Sequence, residues 1–387
     1  MYKGNLLIEV RKGGFVNKGA ELMLCAVLEK IKKEYPEALF AMTPTVSEAS
    51  APYLKRAKSG FYQKAHVWRG GIQFGTLASL IPSKIRDMFG IVLNKEIDIV
   101  LDLAGFEYSD QWGQRSCQEL AHSCKRWKEN GTKVIILPQA LGPYKSKSNA
   151  ESMRTALNNA DKVFARDKIS YKFLVEVVGE RENLKIAPDF TNLIEGILPD
   201  NHDYETNQFC IVPNYRMIDK TDMQKADAYL PFMIKVTRYA YEKGLRPFLL
   251  LHEGANDLML AEAIQDAVSP NINILKESDP LKIKGIIGAS TGTVGSRFHG
   301  LVSALSQGKP ALATGWSHKY KMLFDEYGFP EGLLDVHMSD SELYRIMDLL
   351  VDDSSRLKVT NVIKQNSLVL KESAERMWDD VMSVLRS

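Results

Sequence analysis

The feature that most constrains this chain is a repeated alternation of short β-branched runs with longer segments of helical periodicity. In the first half of the 387 residues, strands are predicted at Asn5–Val10, Ala38–Met42, Ile97–Leu101, Lys133–Leu137, Lys162–Ala165 and Leu184–Ala187. Helical spacing of apolar residues predicts helices at Glu21–Lys33, Gln114–Glu129, Ala150–Asn159 and Ile169–Val178. Apolar strands separated by helices indicate an α/β fold whose parallel sheet is covered on both faces.

The second half repeats this pattern. It predicts strands at Gln208–Pro213, Arg246–Leu251, Ile272–Leu275, Gly285–Gly288 and Pro310–Ala313, and helices at Ala226–Lys243, Leu258–Asp266, Arg297–Gln307 and Tyr320–Tyr327. A polar stretch without periodicity, Ile197–Gln208, is the expected hinge. We therefore expect doubly wound domains at 1–200 and 205–350, facing each other across a ligand-binding cleft. A helical segment at 351–387 is expected to pack back on the first domain.

Composition excludes several function classes. The formal net charge is only +2, so nothing global indicates a nucleic-acid partner. No carboxylate cluster resembles a metal site, and no metal or cofactor is expected. The start of the chain lacks the pattern of a signal peptide, and no run approaches the ~18 apolar residues of a membrane span. The expectation is a cytoplasmic protein, whose oligomeric state the sequence does not indicate.

One segment, Phe61–Leu93, does not follow the alternation. It combines glycine and proline breakers with the run LIPSKIRDMFGIVL, which carries Lys84 and Arg86. The favoured interpretation is a helical excursion whose apolar face packs on the first domain. The alternative is a basic, apolar surface that makes peripheral contact with a membrane.

Three polar side chains in the first domain are predicted to point into the cleft. Asn17 begins a helix after the first strand, where it can cap the helix while free N–H groups bind an anion. Gln139 ends a strand and either binds a sugar hydroxyl or stabilises a loop. Asp189 also follows a strand, and is a candidate base, hydroxyl acceptor or turn former. Arg166 is expected to pair with a nearby carboxylate.

The strongest signal lies in the second domain. Arg216 comes just after a strand, and Arg297 and His299 open a helix behind the glycine-rich run GASTGTVG. An arginine fork binds carboxylate or phosphate, and a helix N-terminus adds positive potential. Because cations are normally avoided in the first turn of a helix, this pair indicates a bound anion and an imidazole that transfers a proton. The alternative is a surface arginine with a structural histidine.

Two further strand ends carry candidate residues. His252 and Glu253 leave a strand towards the same cleft, as a proton-transfer pair or as acceptor contacts, with Asp257 nearby as a helix cap. Trp316 and Lys319 lie after the last predicted strand. Lys319 either contacts a phosphate or is simply solvated.

Taken together, these motifs resemble the polysaccharide pyruvyl transferase family. The resemblance is carried by NKGAELML, LPQALGP, ARDKIS, APDF, VPNYR and, above all, SRFHGLVSALSQGKPAL followed by HKYKMLFDEYG, between about residues 12 and 328. It implies the GT-B fold, with phosphoenolpyruvate bound in the carboxy-terminal half. Arg216 matches the family arginine, Arg297 and His299 match the Arg-x-His pair, and Lys319 matches the downstream lysine. Segment Phe61–Leu93 matches no shared motif.

The resemblance also implies the reaction. A pyruvyl group passes from phosphoenolpyruvate to two hydroxyls of a hexose or N-acetylhexosamine, forming a ketal on a lipid-linked precursor of capsule or exopolysaccharide. Arg216, Arg297 and Lys319 would hold the donor, His299 would donate a proton or polarise the phosphate, and Asp189 would be the base. Acceptor-side or supporting roles fall to Asn17, Gln139, His252, Glu253 and Trp316.

Two rival functions remain open. The first is a nucleotide-sugar glycosyltransferase of the same fold, although no Glu-x7-Glu pair occurs between residues 205 and 345. The second is a glycan-binding protein that has kept such a fold without the chemistry.

Overall fold

The computed structural model describes residues 5–44, 52–69 and 72–387. These residues form two compact units. Of the described residues, the first unit contains those within 1–16, 23–189 and 376–387, and the second contains residues 17–22 and 190–375. The polar stretch Ile197–Gln208 lies inside the second unit, after the division at Asp189.

The first unit contains an eight-stranded sheet in which every strand pairing is parallel. The strand order is β10-β9-β8-β7-β1-β2-β3-β6. The strands are β1 (Leu7–Arg11), β2 (Leu39–Met42), β3 (Tyr62–Lys64), β6 (Ile91–Val92), β7 (Ile99–Asp102), β8 (Lys133–Gln139), β9 (Lys162–Ala165) and β10 (Leu184–Ile186), and a separate antiparallel pair is β4 (Trp68–Arg69) with β5 (Ile72–Gln73). The central strands are buried on both faces, as their continuous apolar sequences predict.

Helices connect these strands. They are α1 (Lys18–Glu34), α2 (Pro52–Lys58), α3 (Ser83–Met88), α4 (Arg115–Glu129), α5 (Lys147–Asn159) and α6 (Lys168–Val178), with 3-10 helices at Phe74–Leu80, Asn94–Glu96, Asp110–Trp112 and Phe190–Asn192. Asp167 caps α6, because its carboxylate accepts hydrogen bonds from the backbone N–H and the hydroxyl of Ser170 at 2.7 and 3.0 Å.

The second unit contains a five-stranded parallel sheet in the order β13-β12-β11-β14-β15. Its strands are β11 (Phe209–Val212), β12 (Pro247–Leu251), β13 (Ile274–Lys276), β14 (Gly292–Gly295) and β15 (Ala311–Ala313). Its helices are α7 (Arg216–Asp219), α8 (Met223–Glu242), α9 (Ala255–Val268), α10 (Pro280–Ala289), α11 (Phe298–Ser306), α12 (His318–Glu326), α13 (Asp340–Val351) and α14 (Asp353–Arg386), and a 3-10 helix spans Pro330–Gly332. The last residues of α14 group with the first unit.

One predicted strand is wrong. Residues Gly285–Gly288 lie within α10, and the strand that pairs with β11 is the next one along the chain, β14. Asp279 caps α10 by accepting a hydrogen bond from the N–H of Leu281 at 2.9 Å, and Pro280 occupies the first helical turn. A short, buried and apolar stretch of a helix resembles a buried strand in sequence, and periodicity does not separate the two.

Segment 61–93 also differs from the favoured interpretation. Its strands β3 and β6 extend the first sheet at one edge. The side chains of its 3-10 helix and of α3 that are large and apolar are exposed rather than packed on the unit. Gly70 and Gly71, the breaker noted in the sequence, lie outside the described residues. Within the ranges that the structure does describe, no helix is long and apolar enough to cross a membrane.

Candidate functional site

The second sheet changes direction between β11 and β14. From β11 the chain continues to β12 and β13 on one side, and it then returns to β14 and β15 on the other. Loops that leave in opposite directions open a crevice at the carboxyl ends of such a strand pair, where α/β proteins bind ligands. Arg216 follows β11, and Arg297 and His299 follow β14. The sequence correctly placed Arg216 after a strand and Arg297 and His299 at the start of a helix, but it did not predict the strand β14 that precedes this pair.

Arg297 is buried and held by two carboxylates. Its Nε donates to Asp257 at 3.0 Å, its Nη2 donates to both oxygens of Asp257 at 2.6 and 2.5 Å, and its Nη1 donates to Glu253. Because a buried guanidinium needs partners, this pairing stabilises the charge. The open arginine fork predicted from the sequence is thus already engaged. Asp257, which the sequence suggested only as a helix cap, is its main partner.

Asp257 also connects the two loops at the crevice. It is buried in the first turn of α9, and it accepts a hydrogen bond from the N–H of Tyr215 at 3.0 Å. Burial raises the pKa of the Asp257 carboxyl, and the neighbouring Arg297 guanidinium opposes that rise. The loops after β11 and β14 are therefore joined through one carboxylate.

Ser296 anchors the backbone immediately before Arg297. Its carbonyl accepts hydrogen bonds from Asn214 Nδ2 at 2.6 Å and from the Tyr320 hydroxyl at 2.9 Å. Its hydroxyl accepts from Tyr229 at 3.0 Å and lies 2.6 Å from Thr314 Oγ1. All these groups are buried. Such a network fixes the position of the residues that follow, and sequence reasoning missed it although VPNYR and HKYKM contain two of its members.

His299 lies in the first turn of α11, half-buried beside the start of α1. A Cβ on Gly19 would lie only 2.2 Å from His299 Nδ1, so glycine is needed at this contact. Asn17 caps α1 as predicted, because its Oδ1 accepts hydrogen bonds from the N–H groups of Gly19 and Ala20 at 2.9 and 3.1 Å. The residue that approaches Gly19 closely is therefore a histidine of the same unit.

His252 follows β12 and is buried. Burial holds its pKa well below the ordinary value, and the nearby Arg297, His299 and Lys18 lower it further. This imidazole is neutral at pH 7. The adjacent Glu253 contacts Arg297 and lies 3.5 Å from Asn17 Nδ2, so the structure brings four of the predicted site residues together.

Lys319 lies over three aromatic rings. Its ammonium is 4.8 Å from the Trp316 ring centroid, 5.1 Å from that of Phe298 and 5.5 Å from that of Tyr320. Aromatic faces stabilise a cation at these distances. Lys319 is thus a charge held in place in the first turn of α12, beyond β15. It is not the lysine surrounded only by solvent that was the alternative prediction.

Arg216 differs from these residues. Its side chain is 44% exposed, and its Nη1 pairs with Asp219 at 2.6 Å within the short helix α7. Its backbone N–H donates to Asn214 Oδ1 at 3.0 Å, which ties it to the same loop.

The predicted residues of the first unit are buried and paired. Arg166 Nη1 contacts Asp189 Oδ2 at 3.2 Å, which confirms the expected carboxylate partner. Gln139 is fully buried at the end of β8, and its Nε2 donates to Asp102 Oδ1 at 3.2 Å. This contact favours the structural role of Gln139 over a sugar contact.

The first sheet has its own change of direction, between β1 and β7. Arg11 ends β1 and Asp102 ends β7, and Arg11 Nε donates to Asp102 Oδ2 at 2.9 Å. Beside them Lys12 pairs with Glu107 at 2.8 Å and lies 3.6 Å from Glu119. Lys12 has φ +61°, a conformation uncommon outside glycine and more frequent at functional sites. Sequence reasoning missed this cluster because VRKGG contains no recognised motif.

Among the residues that the structure describes, no three His, Cys, Asp or Glu side chains are grouped so that they could hold a metal ion.

Comparison with known proteins identifies the family. A model of the polysaccharide pyruvyl transferase family matches residues 17–318, most of the chain. The chain belongs to this family. The match begins at Asn17 and ends one residue before Lys319, so it contains every other site residue predicted from the sequence. Membership in the polysaccharide pyruvyl transferase family also accounts for the resemblance seen in the motifs.

Solved structures show that this chain has a GT-B-like α/β fold. The Anabaena protein HepE in complex with UDP and glucose has a TM-score of 0.57 and 13% identity, covering 98% of this chain and 100% of that one. The UDP-GlcNAc 2-epimerase from Neisseria meningitidis bound to UDP-GlcNAc has a TM-score of 0.60 and 10% identity, with 98% and 100% coverage. The pneumococcal O-GlcNAc transferase GtfA, in complex with UDP and GlcNAc, has a TM-score of 0.59 and 8% identity, covering 99% of this chain and 100% of that one. At these identities the likeness concerns the fold alone.

Proposed function

We propose that this chain transfers a pyruvyl group from phosphoenolpyruvate to two hydroxyls of one sugar, forming a ketal in the biosynthesis of capsule or exopolysaccharide. The acceptor we propose is a hexose or N-acetylhexosamine on a lipid-linked precursor. The observation that carries the proposal is the group of basic side chains that follow β11, β14 and β15, in a chain of the polysaccharide pyruvyl transferase family.

The donor is a small anion that carries a phosphate and a carboxylate. Arg297 follows β14, and Lys319 lies beyond the neighbouring strand β15, in the first turn of α12. Arg216 follows β11, the strand on the other side of β14. Glu253 presents a carboxylate to Arg297 Nη1, which is the arrangement that a substrate carboxylate would need. We infer that the donor carboxylate replaces Glu253 at this nitrogen, while Asp257 keeps the guanidinium in position. Lys319 and Arg216 then contact the phosphate.

The proposed reaction protonates the methylene carbon of phosphoenolpyruvate and leaves an oxocarbenium-like centre at the adjacent carbon. Two sugar hydroxyls form two C–O bonds to that centre, and the C–O bond to phosphate breaks. Of the two hydroxyl protons, one replaces the proton that was added to form the new methyl group, and the other leaves with the phosphate. The acceptor therefore gains one pyruvyl unit less water.

His299 is our candidate for the proton donor or for the group that polarises the phosphate. Two observations support it: the residue lies in the first turn of α11, and Gly19 and the anchored Ser296 restrict its position. The buried and neutral His252 beside Arg297 adds no positive charge that would compete for the anion. Asp189, whose carboxylate pairs with Arg166 at 3.2 Å, remains the candidate base.

The decisive experiment incubates candidate lipid-linked sugars with phosphoenolpyruvate and follows them by mass spectrometry. The expected product carries one pyruvyl unit less water, with release of phosphate. His299→Ala should lower turnover by about 10²–10⁴-fold while the protein stays folded, because a general acid contributes that much. The matched control is His337→Ala, at an exposed histidine of the same unit. Near-wild-type phosphate release by His299→Ala would remove the role assigned to this residue.

A second candidate is a nucleotide-sugar-dependent glycosyltransferase, since the similar structures named above contain UDP or a UDP-sugar. The two functions differ in the donor that binds the folded chain. Phosphoenolpyruvate should raise the melting temperature and a panel of UDP-sugars should not, because a ligand stabilises only the state that it binds. The opposite result would favour the glycosyltransferase. Binding of glycans without any phosphate release, across a broad set of acceptors, would favour a non-catalytic glycan-binding protein.

A further inference from the structure

Two consecutive short helices of the first unit expose their apolar side chains. In the 3-10 helix Phe74–Leu80, positions i and i+3 lie on one face, because this helix has three residues per turn. In α3, positions separated by three or four residues lie together. The exposed apolar residues fall at these spacings, and we call them the apolar ridge: Phe74, Leu77, Leu80, Ile81, Ile85, Met88 and Phe89.

The two positions of these helices that are buried carry no apolar side chain: they are Gly75 and Arg86. Gly75, Thr76 and Ser79 line a cavity of about 230 Å³ in the first unit. Arg86 is buried in α3, and its two terminal nitrogens donate to the two oxygens of Glu96 at 2.8 Å each. In a typical surface helix the apolar face packs on the core, whereas here the buried positions are a glycine and an ion-paired arginine. The ridge is therefore not an incomplete core.

The size and form of the ridge indicate an interaction surface. Large contiguous apolar patches are rare on soluble proteins and mark protein or membrane contacts. Leu80 and Met88 are 81% and 80% exposed, so single side chains project from the ends of the two helices. Projecting side chains suit insertion among lipid headgroups better than a flat contact with another protein.

The charges beside the ridge select the partner. Lys84 and Lys95 are exposed, whereas Asp87 is half-buried and Glu96 is bound to Arg86. The exposed Asp98 accepts a hydrogen bond from the N–H of Leu7 at 2.8 Å. Lysines next to projecting apolar side chains complement a surface of anionic lipids. We propose that the apolar ridge and these two lysines dock the chain peripherally on an anionic membrane surface, with Leu80 and Met88 inserted. This proposal does not depend on the reaction proposed above, and its test measures no turnover.

The test is co-sedimentation of the full chain with vesicles of phosphatidylcholine alone or mixed with phosphatidylglycerol. We expect binding to the anionic vesicles that weakens as salt is added. Leu80→Asp and Met88→Asp should each lower the partition coefficient by about tenfold or more, because each removes one inserted side chain and adds a charge. Lys84→Glu should weaken binding to the anionic vesicles.

Matched controls exist in the second unit. Met223 is 79% exposed and Leu368 is 64% exposed, so Met223→Asp and Leu368→Asp place the same charge at similar exposure outside the ridge. They should leave vesicle binding unchanged, and circular dichroism should show all variants folded.

Absence of binding to anionic vesicles, or equal binding by Leu80→Asp and the unaltered chain, would overturn the proposal. A dimer that dissociates in Leu80→Asp or Met88→Asp, measured by light scattering without lipid, would also overturn it and assign the ridge to a second copy of the chain.

Discussion

Replacing Asp257 by asparagine tests the central ion pair of the second unit. Asp257 is 1% exposed, and its two oxygens receive three hydrogen bonds from Arg297. Asparagine keeps the size of the side chain and removes its charge. The buried guanidinium then keeps only Glu253 as a charged partner.

The magnitude follows from burial. Breaking a buried ion pair by removing one partner lowers the free energy of unfolding by about 3–5 kcal/mol, and the remaining Glu253 places this case near the lower end. For a unit of this size, 1 kcal/mol shifts the melting temperature by roughly 2–4 °C, so the expected decrease is about 6–12 °C. The control is Asp219→Asn, which removes the exposed pair with Arg216. That pair contributes about 0–1 kcal/mol.

Differential scanning calorimetry of both variants, at pH 7 and equal protein concentration, measures the two effects side by side. The double variant Asp257→Asn, Arg297→Gln should be more stable than the sum of the single changes predicts, because no unpaired charge is left. If Asp257→Asn melts no lower than Asp219→Asn, the argument that Arg297 depends on this carboxylate is refuted.

Three further predictions concern His252 and two glycines. The folded state holds the pKa of His252 below its unfolded value, so the contribution of this group to stability is complete above about pH 6.5 and falls with decreasing pH by up to about 1.4 kcal/mol per pH unit. In urea unfolding, His252→Gln should show a smaller dependence of the free energy of unfolding on pH. An unchanged pH dependence would contradict the assignment. Gly285→Ala would place a Cβ 2.2 Å from the Ile197 carbonyl oxygen, so chemical denaturation should show a loss of at least about 1–3 kcal/mol. Gly19→Ala should turn the His299 ring away and lower turnover as far as His299→Ala does, with an unchanged circular dichroism spectrum. Full activity together with unshifted His299 ring resonances in NMR spectra would show that the close contact has no consequence.

Much of the fold could be predicted because its signals are local. The alternation of apolar runs and helical spacing located strands such as Lys162–Ala165 and helices such as Ile169–Val178 to within a residue or two. The capping role of Asn17 was equally readable, because a cap depends on its immediate neighbours in the chain. The strand predicted at residues 285–288 was wrong because a short buried helix and a buried strand share the same apolar composition.

For the candidate site, too, local features could be predicted and contacts between distant residues could not. The sequence by itself determined the fold class, the family and the motifs that contain Arg297, His299 and Lys319, since these follow from local residue patterns and from the order of elements along the chain. It did not determine the strand β14 that precedes Arg297. Only the tertiary structure decided what each side chain contacts. The pairing of Arg297 with Asp257 joins residues 40 positions apart. Partners at such separations are chosen by how helices and sheets pack and by the need to neutralise every buried charge, and neither leaves a mark in local sequence.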